Sequence, residues 1–269
     1  MTGPLIFTPE YDARMHALET AGRWNAAMRD TAAMLLTRTT LPARGALLNI
    51  GCGRGQTMEW RRAPSPGGIT SGLDVSIDGL RAARAIGETN VMAASALQLP
   101  VASELKDVVI SLDVMQRLPL DGGDVVALRE MLRVLRPGGV EQLHTNAQSS
   151  PHADDNARYA YHKCAPDEMR AKLVAGGFAP LRVGRVNAVL KLADVPREYA
   201  ARKYTDGHYV ALLAKPANSA SLGWRLKRGW LRLEAAALAR GWNLRIGRTI
   251  LALARKPADS ASRDGLESV

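Results

Sequence analysis

The spacing of hydrophobic positions changes partway along the chain. Between residues 11 and 36 the apolar residues Met15, Leu18, Trp24, Met28, Leu35 and Leu36 recur at helical spacing, which predicts one or two amphipathic helices. Pro42 and Gly45 then interrupt the pattern. From Ala46 onward short apolar runs alternate with helical stretches, the pattern of a mostly parallel sheet wrapped by helices. Strands are expected at 46–50, 69–75, 91–94, 107–112, 140–145 and 180–188, with helices near 56–62, 77–86, 124–135 and 166–175. Pro137-Gly138-Gly139 and Gly176-Gly177 stand where helices should stop. Two more strand-like runs, 209–214 and 249–254, each end in a basic residue and a proline, and either can be the final strand. The predicted division is a helical lid over 1–44, an α/β core over 45–216, a basic extension over 217–257 packing on that core, and a disordered tail over 258–269.

An apolar share of 46 % is enough for a full core, and an aromatic share of 5 % leaves Leu, Val and Ala to build it. Cys52 and Cys164 are the only cysteines, too few for a disulfide framework or a thiolate metal site. Neither a secretory signal at Met1-Thr2-Gly3-Pro4-Leu5 nor a membrane-spanning run of roughly 18 apolar residues is present, so a cytoplasmic protein is expected.

The net charge of +10 becomes informative once it is located. Between 217 and 257 stand nine basic residues and a single acid, Glu234, a net +8, so the rest of the chain is near neutral. In the helix predicted over 224–240, Arg225, Arg228 and Arg232 share one face, while Leu226, Trp230, Leu233 and Ala237 share another. Such a helix can lie on an anionic membrane surface. The favoured expectation is that Leu226, Trp230 and Leu233 pack on the domain while the arginines face water.

The chemistry concentrates after the first predicted strand. Leu47-Leu48-Asn49-Ile50 runs directly into Gly51-Cys52-Gly53-Arg54-Gly55, a turn in which glycines admit positive φ and let a ligand approach the backbone. The following helix start offers unpaired N–H groups. The second strand ends in Gly72-Leu73-Asp74-Val75, which puts a carboxylate about twenty residues on, where a doubly wound fold grips ribose hydroxyls. A dinucleotide fingerprint wants its third glycine at position 56, which is Gln56; the glycine here is Gly55. That spacing argues against a nicotinamide oxidoreductase.

Taken in order, these blocks resemble the class I S-adenosylmethionine-dependent methyltransferases, and within them the small-molecule subgroup of ubiquinone- and sterol-type enzymes. The resemblance extends over about 45–190. It includes Leu97-Gln98-Leu99-Pro100, the run Asp107-Val108-Val109-Ile110-Ser111-Leu112, and Leu128-Arg129-Glu130 through Arg136-Pro137-Gly138-Gly139. It implies an α/β, Rossmann-like, doubly wound seven-stranded sheet with helices on both faces and an N-terminal lid. It also implies a cofactor site of Gly51, Cys52, Gly53, Gly55, Asp74, Val75, Ser95, Ala96, Leu97 and Leu112, with Tyr11 from the lid. Two positions depart from the family. Ser95 stands near its usual adenine-binding Asp, and Gln116-Arg117-Leu118 replaces its Glu-His-Leu.

Methyl transfer to a hydroxyl needs a base, and histidine is the usual choice. His144, at the C-terminal end of the fifth predicted strand, is the candidate, with a structural histidine as the alternative reading. His152, His162 and Arg117 are candidate substrate contacts. The expected acceptor is a small molecule methylated at oxygen, of specialised-metabolite or glycolipid type. A nucleic-acid methyltransferase fits less well, since no Asn/Asp-Pro-Pro-aromatic run follows the fourth strand and the basic surface is poor in aromatics. No nucleic-acid partner is therefore expected, while weak contact with an anionic membrane and homodimerisation stay open. A fold member repurposed for a non-methylating role is the alternative function.

Overall fold

The computed structural model describes residues 23–36, 39, 45–58, 68–119, 121–147, 163–188 and 222–258. In chain order these form α1 (Arg23–Leu36), β1 (Leu47–Ile50), β2 (Thr70–Asp74), α2 (Ile77–Ala85), β3 (Val91–Ala93), β4 (Lys106–Leu112), α3 (Gly123–Val134), β5 (Leu135–Asn146), α4 (Pro166–Ala175), β6 (Ala179–Val186), α5 (Leu222–Ala239) and β7 (Thr249–Arg255). The expected run 209–214 lies outside the described residues, as do Tyr11, His152, His162 and all but the first residue of the expected tail.

One seven-stranded sheet has the order β3-β2-β1-β4-β5-β7-β6. The pairs β1–β2, β1–β4, β2–β3 and β4–β5 are parallel. β7 runs the other way: the Gly138 and Ala147 amides donate to Lys256 and Arg248 oxygens, and the Lys256 amide returns to Gly139. Of the two runs that competed for the final strand, 249–255 therefore holds a place inside the sheet, between β5 and β6. Central strands are covered on both faces, which explains why β1 is buried at every position and why Val108, Val109 and Ile110 of β4 are buried together.

By its internal contacts the chain forms two compact units: 40–144 with 167–183 and 252–269, and 1–39 with 145–166 and 184–251. In the first, α2 starts on Ser76, whose hydroxyl accepts the Gly79 amide at 3.1 Å; such a cap contributes about 1 kcal/mol. α3 begins after Gly122 and stops at Val134, ahead of Pro137-Gly138-Gly139 as expected. β5 starts at once with Leu135, so those three residues form an irregularity within the strand, where the register with β4 shifts between Lys106 and Val108.

In the second unit α1 and α5 pack on each other. The expected burial of Leu226, Trp230 and Leu233 is not found: they are 65 %, 48 % and 64 % exposed. The inward stripe is Leu231, Ala235, Leu238 and Ala239, together with Glu234. Polar anchors account for this rotation. Arg228 and Arg232 both bind Asp30 of α1, through Arg228 Nε at 2.7 Å and an Arg232 terminal nitrogen at 3.0 Å. The Glu234 carboxylate accepts the amides of Asn187 and Ala188 and the Trp230 indole N–H. A carboxylate with that many donors holds its face inward more firmly than leucine burial on the neighbouring stripe would.

Candidate active site

The C-terminal ends of β1 to β5 carry the candidate residues, and the parallel pairings bring these ends to one edge of the sheet. After β1 the chain turns through Gly51 at φ 69° and Gly55 at φ 83°, conformations that favour glycine. A Cβ on Gly51 would sit 2.3 Å from Val114 Cγ2, so the turn is closely covered as well as left-handed.

Asp74, at the end of β2, ties this turn to the next helix. Its Oδ2 accepts the Gly53 amide at 2.7 Å, and its Oδ1 accepts the Ser76 amide at 2.8 Å. Each oxygen keeps a further lone pair for a hydroxyl donor. Val75, beside it, is half exposed.

The Cys52 side chain points the other way. It is buried with Met58, Leu80, Ala83 and Val91. Burial, then the negative charge of Asp74, push its thiol up to about 12, with Glu88 adding to the rise against a small opposing backbone hydrogen bond. Cys52 is thus a neutral packing residue, and only its backbone belongs to the turn.

The loop after β3 holds Ser95, Ala96 and Leu97. The Ser95 hydroxyl accepts the Leu97 amide at 3.2 Å and closes the loop, and Ser95 itself is exposed. Ala96 is buried and Leu97 partly so. Glu130 and Arg133 of α3 hold the stretch that follows. Glu130 accepts the Leu99 amide at 2.8 Å, and Arg133 donates to the Leu99 and Val101 oxygens at 2.9 and 2.8 Å. The two side chains also pair at 2.7 Å. Hydrogen bonding from Arg133 holds the Glu130 carboxyl below its usual range, overcoming the opposing effect of burial.

β4 and β5 bring a carboxylate and an imidazole together. Leu112 ends β4 and aligns with His144 in register. The next residue, Asp113, adopts φ 61°, and its amide donates to the His144 oxygen at 3.0 Å. Its carboxylate Oδ1 lies 3.3 Å from His144 Nδ1. Burial alone would raise the Asp113 carboxyl. The charge His144 carries when protonated and its hydrogen bond, with Arg117 and a Gln116 hydrogen bond behind them, outweigh that and hold it below the usual range. Because 37 % of the Asp113 side chain stays exposed, solvent screens this pair. With Nδ1–H directed at Asp113, the lone pair of His144 falls on Nε2, a buried atom with no hydrogen-bond partner among the described residues.

Asp113 was missed in the sequence. The only signal for it was an Asp directly after a strand, a residue type that tolerates a left-handed backbone. Gln116 and Arg117 do gather around Asp113, so the departure from Glu-His-Leu places an amide and a cation on the carboxylate. Among the described residues no group of His, Cys, Asp and Glu could hold a metal.

Residues 48–141 match the family described as a methyltransferase domain. A tRNA (carboxymethyluridine(34)-5-O)-methyltransferase of Arabidopsis thaliana is 30 % identical over 100 residues, which are 37 % of this chain and 24 % of that protein. The match thus spans about a quarter of that relative's length. Among solved structures, Haemonchus contortus phosphoethanolamine N-methyltransferase 2, in complex with S-adenosyl-L-methionine, superposes with a TM-score of 0.64 at 18 % identity, covering 94 % of this chain and 59 % of that one. The [4+2]-cyclase SpnF superposes with a TM-score of 0.55 at 22 % identity, covering 85 % and 80 %. At these identities the likeness establishes the fold, which is that of the class I methyltransferases.

Proposed function

We propose that this protein, whose residues 48–141 match a methyltransferase domain, transfers a methyl group from S-adenosylmethionine to the oxygen of a small molecule. The observation that carries the reading is the convergence at one sheet edge of the Gly51–Gly55 turn, the Asp74 carboxylate, the Ser95–Leu97 loop and the Asp113–His144 pair. The donor set fits an adenosyl group. Asp74 has acceptor capacity for ribose hydroxyls, Val75 and Leu97 offer apolar surface, and the turn leaves backbone close to a ligand. Ser95 supplies a neutral acceptor in place of a carboxylate, and its oxygen is already shared with Leu97, so the adenine is held mainly by shape.

When bound, S-adenosylmethionine supplies a methyl group activated by its sulfonium charge. The protein's own task is to align the acceptor and remove its proton. His144 Nε2 takes the hydroxyl proton, and Asp113 fixes the ring through Nδ1 and stabilises the resulting imidazolium. Arg117, beside Asp113, gives an acidic acceptor a cation to face. The specialised metabolites and glycolipids anticipated from the ubiquinone- and sterol-type resemblance are the acceptors this reading tests first.

Calorimetry on the whole protein should show binding of S-adenosylhomocysteine and no comparable binding of NAD. Incubation with methyl-tritiated S-adenosylmethionine and fractionated metabolite extracts should then label a small molecule. Binding without any label transfer would favour a repurposed member of the fold, a reading that has a specific precedent in the [4+2]-cyclase likeness. Absence of adenosyl binding would overturn methyl transfer and leave only a fold member that binds a substrate alone.

A further inference from the structure

The outward face of α5 combines two properties that a solvated helix does not need. Leu226, Trp230 and Leu233 recur at i, i+4 and i+7 and stand 65 %, 48 % and 64 % exposed, and Trp242, just past the helix, is 74 % exposed. Arg225 and Arg240 border this apolar stripe, and Arg228 and Arg232, turned toward Asp30 of α1, are exposed as well. The only acid of the helix, Glu234, is buried and bonded to Asn187, Ala188 and Trp230, so it contributes no charge outside. Asp30 sits between Arg228 and Arg232 and neutralises one of the two at most. The exposed surface of α5 therefore presents leucine, tryptophan and arginine and no carboxylate of its own.

We propose that this face of α5 docks on an anionic lipid surface, with Leu226, Trp230, Leu233 and Trp242 entering the headgroup layer and the arginines pairing with lipid phosphates. Charge complementarity selects the occupant. An uncharged apolar partner would offer Arg225 and Arg240 no counter-charge, and nucleic acid would leave the two leucines without a role. Tryptophan and arginine both suit an interface because each carries an apolar body and a polar tip. No described helix is long and apolar enough to cross a membrane, so this contact is peripheral.

The test uses the full chain and vesicles of phosphatidylglycerol and phosphatidylcholine in equal parts, with pure phosphatidylcholine as the comparison. Co-sedimentation should show binding to the mixed vesicles and little to the neutral ones. It should weaken between about 0.15 M and about 1 M salt, as the screening length falls from about 8 Å to about 3 Å. Arg225→Gln with Arg240→Gln should reduce affinity about 25-fold, from a contribution of about fivefold per cation near an anionic surface. Leu226→Gln with Leu233→Gln should reduce it at least about tenfold while leaving net charge unchanged. Trp242→Ser is a second apolar variant outside the helix, and thermal melts check that each variant is folded. The leucine pair separates docking from nonspecific attraction of a basic protein. Equal binding to both vesicle types, or undiminished binding by the folded leucine and Trp242 variants, would overturn the proposal. So would tighter binding to single-stranded RNA that ignores the leucine pair.

Discussion

Replacing Asp74 by alanine removes two things at once, and the structure lets them be separated. The carboxylate accepts the Gly53 amide at 2.7 Å and the Ser76 amide at 2.8 Å, so it braces the turn and the start of α2 before any ligand arrives. Hydrogen bonds to a charged group contribute about 1.5–3 kcal/mol each, and for a half-buried carboxylate the lower end applies. Allowing for water replacing one partner, Asp74→Ala should destabilise the free protein by about 1–3 kcal/mol. At about 2–4 °C per kcal/mol for a domain near this size, the melting temperature should fall by several degrees. The proposed bonds to ribose would come on top of this. Their loss should weaken S-adenosylhomocysteine by about 1.5–3 kcal/mol, or about 10- to 150-fold, in calorimetry. A loosened turn could weaken the ligand indirectly, so the deciding measurement pairs the variant with S-adenosylhomocysteine analogues lacking the 2′- or 3′-hydroxyl. Wild-type protein should discriminate against those analogues, and Asp74→Ala should not. If the variant discriminates as strongly as wild type, Asp74 is a clasp for the turn and the ribose assignment fails.

Three further outcomes are expected. Once an acceptor is identified, His144→Gln should lower turnover by about 100-fold or more and leave S-adenosylhomocysteine affinity nearly intact; Asp113→Asn, which keeps a residue tolerant of positive φ, should lower it less, and the double variant should be no worse than His144→Gln alone. Glu130→Ala should weaken cofactor binding without touching the ligand, because the Leu99–Val101 stretch loses its anchor; since this carboxyl is held low in the folded protein, its stabilising contribution is present above about pH 4.3 and is lost as pH falls through the folded value, so melts of wild type and variant should converge in acid. Glu141, fully buried with neither oxygen bonded among the described residues, has its carboxyl raised well above the usual range by burial; Glu141→Met should stabilise the fold by about 1–3 kcal/mol, and the gain should grow as pH rises above about 4.3, where wild type must hold a proton its unfolded chain has released. A melting temperature for Glu141→Met below wild type at pH 8 would count against that account.

How much of this was legible in the sequence varied with the kind of information each element needs. The strands at 47–50 and 106–112 were readable because central strands carry short apolar runs that end at turn residues. The place of β7 was not, since spatial order within a sheet leaves no local periodicity. The inward face of α5 was misread for a different reason. Its apolar residues fall on two neighbouring stripes, and the choice between them rested on Asp30 and on the amides of Asn187 and Ala188, far away in sequence. At the site, the Gly51–Gly55 turn and Asp74 were visible as a spaced motif, whereas Asp113 became recognisable only when β4 and β5 brought it against His144.

The insertion of β7 between β5 and β6 also bears on how the protein is made. β6 is synthesised well before β7, yet its neighbour in the sheet is β7, so while translation continues β6 has no strand to pair with there, and β5 has an open side. Both present unpaired backbone donors and acceptors during that interval, the condition under which strand edges recruit the wrong partner. The nascent chain is therefore expected to rely on chaperone protection until Thr249–Arg255 has left the ribosome, and a ribosome stalled before that point should hold a protease-sensitive sheet.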